Sequence, residues 1–193
     1  MELLIPLAEA MNLKRSLSDQ LSKLGYALLF LAWLQPSLAQ GMTESQVKTA
    51  YVLNFAKFVE WPAGAIGADK LTLCVVGNDV LGGALSALDG RKAGGRELHV
   101  VQRANAGDNL RDCNVVFIGA SEQRRFVAII MALGDSPALT ISDIENFAEK
   151  GGSIGLGYRE NKIVFEVNLA SVQKSRLRLP GQLLNLASYV YGR

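Results

Sequence analysis

Leu71-Thr72-Leu73-Cys74-Val75-Val76-Gly77 is an apolar run with almost no polar alternation, closed by a glycine. Such a run reads as a strand covered on both faces, the habit of parallel sheets. Asn114-Val115-Val116-Phe117-Ile118-Gly119 repeats the pattern, and Leu98–Gln102 and Ala138–Ile141 supply two further strands. Helical signals lie between them. Asp79 can cap a short helix through Leu88, and Ser121 one that runs to about Leu133. Ser142 with Glu145 forms a capping box for a helix that ends at Lys150-Gly151-Gly152. Alternation of this kind predicts an α/β fold, a mostly parallel sheet with helices on both faces. Ser153–Tyr158 and Lys162–Val167, turning at Arg159-Glu160-Asn161, add a C-terminal hairpin strand pair. Leu169–Leu177 and Gln182–Tyr191 read as amphipathic helices parted by Pro180-Gly181.

Upstream of the first strand, Thr43 and Gln46 fit another capping box. Val47, Tyr51, Phe55, Phe58 and Val59 then recur at helical spacing through Glu60, and Trp61-Pro62 stops the helix. Further upstream the chain changes character. Lys14, Arg15 and Lys23 precede the apolar run Leu24–Leu34, followed by Pro36 and the small-residue exit Ser37-Leu38-Ala39. This is the layout of a cleavable secretory signal, and it is complete when counted from Met11. The apolar run is too short for a membrane span, which needs about 20 residues. Residues 1–39 are therefore expected to be a cleaved signal peptide, and 40–193 a single exported domain located in the periplasm.

Charge and cysteine content narrow the functional classes. The net charge is +2 and no block of Lys or Arg appears, which argues against nucleic acid. The densest basic group is Lys174, Arg176 and Arg178. Cys74 and Cys113 are the only cysteines, and an even number in an oxidising compartment favours a bridge between them. Two buried free thiols in adjacent strands are the alternative.

Chemistry-bearing residues are sparse. His99 is the only histidine and lies inside a strand, where a structural role is usual. The cysteines lack metal-ligand spacing, and no serine occupies a G-x-S-x-G elbow. Gly151-Gly152-Ser153-Ile154-Gly155-Leu156-Gly157 follows a helix and enters a strand, opposite to the order of a dinucleotide-binding loop. No enzyme, cofactor or metal is expected. Glu166, by strand alternation, shares a face with Val164, and is either solvated there or partly buried with a partner.

Several blocks together carry a family resemblance. They are Gln46–Tyr51 with Asn54-Phe55 and Lys57-Phe58-Val59-Glu60-Trp61-Pro62, then Cys74–Gly77 and Cys113–Gly119. Leu139–Asp143 with Phe147-Ala148 and Gly151-Gly152, Ile163–Asn168, and Leu183–Ala187 complete the series. In this order they resemble the YfiR family of exported bacterial proteins. The resemblance implies a periplasmic repressor that binds the periplasmic domain of an inner-membrane diguanylate cyclase. It also implies release by an OmpA-like outer-membrane lipoprotein, after which cyclic di-GMP rises and biofilm formation is favoured. A second, late disulfide found in some members does not carry over, because only Cys74 and Cys113 are present. A periplasmic small-ligand sensor or solute-binding domain is the competing class, and a homodimer stays open. The expected partner face comprises Glu166, Val172, Lys174, Arg176 and Arg178, with the helix around Phe58 and Trp61 next in line.

If the signal is cleaved as its spacing predicts, mass spectrometry of protein from the periplasmic fraction will show a chain that starts at Gln40. A full-length, membrane-retained chain would overturn the export argument.

Overall fold

Side chains along the central strands are buried on both sides of the sheet, and the strand order explains why. The computed structural model describes residues 42–67, 69–78, 81, 83–103 and 109–192. The signal-peptide segment and Asp79 lie outside them. Residues Met42–Arg193 form one compact unit.

In chain order the elements are α1 (Glu44–Phe58), β1 (Lys70–Val76), β2 (Lys92–Ala93), β3 (Arg96–Arg103) and β4 (Val115–Ile118). Then follow α2 (Phe126–Leu133), β5 (Leu139–Ser142), β6 (Ile154–Arg159) and β7 (Lys162–Asn168). The chain closes with α3 (Leu169–Lys174), α4 (Gly181–Leu186) and β8 (Tyr189–Tyr191). Among the described residues eight strands join one sheet in the order β2-β3-β1-β4-β5-β6-β7-β8. The pairings from β3 across to β6 are parallel. β2 and β7 are antiparallel to their neighbours β3 and β6, and β8 runs parallel to β7. The α/β class expected from the alternation is the observed one.

Alternation along the central strands divides the interior in two. Leu71, Leu73 and Val75 of β1 join Val115 and Phe117 of β4 and Leu139 and Ile141 of β5 in one core. Cys74 and Val76 join Val116 and Ile118 in the other. Each core then needs its own cover. On the first side Val52, Phe55 and Ala56 of α1 and Val172 of α3 supply it. Phe55 meets Phe165 of β7 edge-on, with ring centroids 5.1 Å apart. On the second side α2 does so through Phe126, Ile129 and Leu133. Each large apolar side chain buried this way contributes about 1.5–3 kcal/mol.

Local signals succeed where they act alone. The Thr43 hydroxyl accepts from the Gln46 amide at 3.3 Å, and Gln46 Oε1 accepts from the Thr43 amide at 2.9 Å, so the capping box closes. Glu160 and Asn161 both take positive φ, the two-residue turn that matches hairpin twist.

Four expectations need correction. The buried face of α1 is rotated, leaving Phe58 55% exposed, and the helix stops at Phe58 because Val59 is already extended. Ser121 caps no helix. Its hydroxyl accepts from the Asn78 amide at 3.0 Å, and α2 begins five residues later. No helix forms after Ser142, whose hydroxyl donates to the Ile118 carbonyl at 2.6 Å and accepts from the Ile144 amide at 3.0 Å. That competes with the expected box, and Asn146 at positive φ leaves only turns before Gly152. Finally, Tyr189–Tyr191 is not helical: α4 ends at Leu186 and the chain joins the sheet as β8, because β7 offers an open edge.

Cys74 and Cys113 are joined by a disulfide, with Cα atoms 5.8 Å apart and both residues buried. Beside it the Asn114 side chain accepts from the Thr72 amide at 2.8 Å, which fixes the register of β4 against β1. Cys113→Ser is expected to lower unfolding free energy by about 2–4 kcal/mol, measured by urea denaturation under oxidising conditions. Equal stability of variant and parent would show that the bridge does not constrain the unfolded chain.

Candidate functional site

The usual ligand crevice of an open α/β sheet lies where strand order reverses, at the carboxyl ends of the strands. Here that point falls between β1 and β4, and it is filled. A Cβ on Gly77 would collide with the Ser121 hydroxyl, and one on Gly119 would lie 2.7 Å from the Asn78 carbonyl oxygen. Only glycine permits so close an approach.

A cleft of about 360 Å³ opens instead beside the hairpin, lined by Lys48, Asp143, Glu145, Tyr158, Arg159 and Glu166 among others. Its inner wall is an ion pair. Lys48 Nζ lies 2.9 Å from Asp143 Oδ2 and 2.8 Å from Glu44 Oε1, with the Lys48 and Asp143 side chains each 11% exposed. Burial disfavours the Lys48 charge. Hydrogen bonds and attraction from Glu44 and Asp143 outweigh it, so its pKa lies above the ordinary lysine value. The pair ties α1 to the turn after β5.

The outer wall comes from the hairpin. Glu166 accepts from Arg159 Nη2 at 2.8 Å and from the Tyr191 hydroxyl at 3.3 Å. Its side chain is 16% exposed, so of the two readings of this residue the partly buried, partnered one holds. Val164 lines the same cleft, as strand alternation required. The Tyr191 phenol is shifted upward, first by desolvation and then by the Glu166 carboxylate, and stays a donor.

The other expected site residues scatter. Val172 is wholly buried in the main core, so it presents nothing to a partner. Lys174 lines a different groove. Arg176, at positive φ, donates to the Asp135 carbonyl at 3.4 Å. Arg178 is exposed, and its backbone makes two 3.0 Å hydrogen bonds with Glu60. Glu166 and Lys174 thus line different depressions, and Val172 lies beneath the surface. His99 is largely exposed and contacts Asp89 at 3.3 Å. Gly152 packs against the Phe147 ring and Gly155–Gly157 lie in β6, consistent with structural roles for the glycine run. Among the described residues no group of His, Cys, Asp and Glu could hold a metal ion, and no helix is long and apolar enough to cross a membrane.

Lys48 and Asp143 were not among the residues expected at a site. A signal was available: Lys48 shares the 48-52-55-59 helical stripe with Val52, Phe55 and Val59. A cation on an apolar stripe calls for a carboxylate partner.

A family model described as YfiR/HmsC-like matches residues 45–188. A crystal structure of a conserved domain protein from Vibrio cholerae O1 biovar El Tor is similar with a TM-score of 0.51 at 12% identity, covering 77% of this chain and 60% of that one. The structure of an ABC domain in complex with L-Trp from Streptococcus pneumoniae is similar with a TM-score of 0.50 at 8% identity, covering 76% and 60%. This chain thus spans 60% of the length of each of these two structures, and the likeness shows the fold alone.

Lys48→Met would leave the Asp143 carboxylate unpaired at low exposure, and a loss of about 3 kcal/mol is expected. Because the folded pKa of Lys48 is raised, its contribution is complete below the unfolded lysine value and disappears as pH rises through the folded one. Urea denaturation from pH 7 into the alkaline range should therefore show the parent converging on Lys48→Met only above about pH 10.4.

Proposed function

We propose, because the chain belongs to the YfiR/HmsC-like family, that it is a periplasmic protein that restrains an inner-membrane diguanylate cyclase by binding the cyclase's periplasmic domain. Release falls to an OmpA-like lipoprotein of the outer membrane that competes for the domain. The single observation that carries this reading is the family match over residues 45–188. Two features support it physically. The signal-like leader suits export, and the buried disulfide suits an oxidising compartment.

A partner contact is best sought at Glu166, held by Arg159 and Tyr191 at the mouth of the cleft. Tyr158 and Tyr189 nearby are each more than half exposed, and aromatic rings beside a held charge are common binding anchors. Lys174, Arg176 and Arg178 remain candidates as rim charges, which act more on association rate and salt dependence than on affinity. Val172 leaves the contact surface and joins the residues that hold α3 in place.

The competing ligand-sensor reading has one observation in its favour, the cleft of about 360 Å³ with its charged wall. The two readings part in experiment. Deleting the gene should raise cyclic di-GMP, and an exported copy should restore the low level while an unexported copy does not. Glu166→Ala and Arg178→Ala should weaken repression at unchanged melting temperature. Val172→Ala should lower the melting temperature instead. Unaltered cyclic di-GMP on deletion, together with a stoichiometric thermal shift on a metabolite panel, would replace the repressor reading by the sensor one.

A further inference from the structure

The segment Phe126-Val127-Ala128-Ile129-Ile130-Met131-Ala132-Leu133 is apolar at every position, yet α2 is a surface helix. A surface helix ordinarily turns a polar stripe to water. Here Phe126, Ile129 and Leu133 enter the second core, while Val127 stands 41% and Met131 75% exposed on the outward side, one turn apart. Ala128 and Ala132 are exposed beside them. The outward stripe therefore has no polar residue at all.

Along this stripe runs a groove of about 240 Å³, bounded by α2, the turn before β6 and α3. Val127, Ile130 and Met131 form its α2 wall, and Ala138 lies deeper with the buried Thr140 and Ser153. Ser171 and Ser175 stand on the α3 side, and among the described lining residues only Lys150 and Lys174 are charged. Arg124 and Arg176 are exposed at the segments that flank it, and the Arg176 guanidinium reaches the Asp135 carbonyl just beyond α2. Of the neighbouring acids, Asp135 lies beyond the helix end, and Glu149 acts on Tyr191, on the β8 side. An exposed apolar α2 wall with a cationic rim selects an apolar occupant of opposite rim charge.

We propose that this groove docks an apolar segment of another protein flanked by Asp or Glu, a helix or extended stretch laid along α2. Charge decides between occupants. A second copy of this chain paired through the same face would set Lys150 and Lys174 against their own equivalents, since a two-fold interface matches a patch with itself. An anionic membrane would favour a protruding surface rich in basic residues, whereas the groove is concave and the whole chain carries only +2. The groove and its flanks share Lys174 and Arg176 with the rim charges named for the cyclase contact but no residue of the ionic cleft, and peptide binding to it is read without the cyclase.

The test uses the protein purified from cells and two fluorescent synthetic amphipathic peptides with identical apolar positions, one flanked by Glu and one by Lys. The Glu-flanked peptide should bind and the Lys-flanked one should not, with binding weakened by added salt. Met131→Glu should weaken binding about thirtyfold at unchanged melting temperature, and Val127→Thr should weaken it less. Lys150→Glu with Lys174→Glu should reverse the preference to the Lys-flanked peptide. Equal binding of both peptides, or none, overturns the proposal. So does sedimentation showing a dimer that Met131→Glu dissolves, or binding to phosphatidylglycerol vesicles but not to either peptide. Because deletion of the gene and its effect on cyclic di-GMP are read separately, failure here leaves the regulatory reading intact.

Discussion

At the centre of the sheet, where β1 pairs with β3 on one side and β4 on the other, side chains are buried above and below. A backbone amide in that position has no water to turn to, so the ladder must be complete. The rest of the architecture answers to this demand. The two cores exist because successive residues of β1 and β4 point to opposite sides. Cover on both sides is then obligatory, and the crossovers between parallel strands deliver it. The disulfide and Asn114 fasten β4 to β1 at the point where a slip of register would exchange one core's side chains for the other's.

How much of this was legible depends on whether a signal was local or shared. The runs around Cys74 and Phe117 announce buried strands because they are short, rich in branched residues and each closed by a glycine. The Thr43 box works because its two hydrogen bonds span four residues. Ser142 defeats the same rule, since its hydroxyl is drawn to the Ile118 carbonyl on a neighbouring strand. Tyr189–Tyr191 shows the limit from the other direction. Its aromatic and branched residues suit a strand, but the partner that makes one is the unpaired edge of β7, and an edge is a property of the assembled sheet. Val172 is hard to place from sequence because the helix Leu169–Lys174, shorter than the expected Leu169–Leu177, has too few turns for its periodicity to fix a face.

The cleft was half legible for a related reason. Alternation put Glu166 and Val164 on one face, which holds. The residues that give the cleft its charge come from α1, the turn after β5 and the hairpin, and nothing in their spacing brings them together. Lys48 and Asp143 are 95 residues apart. Family membership reaches past this gap, since blocks of sequence can be matched without knowing which of them touch.

The burial of Cys74 and Cys113 also sets how the protein loses its bridge. Thiol–disulfide exchange needs a thiolate to reach one sulfur, and here the two residues are 0% and 2% exposed. A reductant in solution must wait for the fold to open. The rate at which the bridge is reduced therefore becomes independent of reductant concentration once attack outpaces reclosing, and equals the rate of opening itself. The domain's lifetime under reducing conditions is in that sense a clock run by its own unfolding, with the sulfurs as the hands.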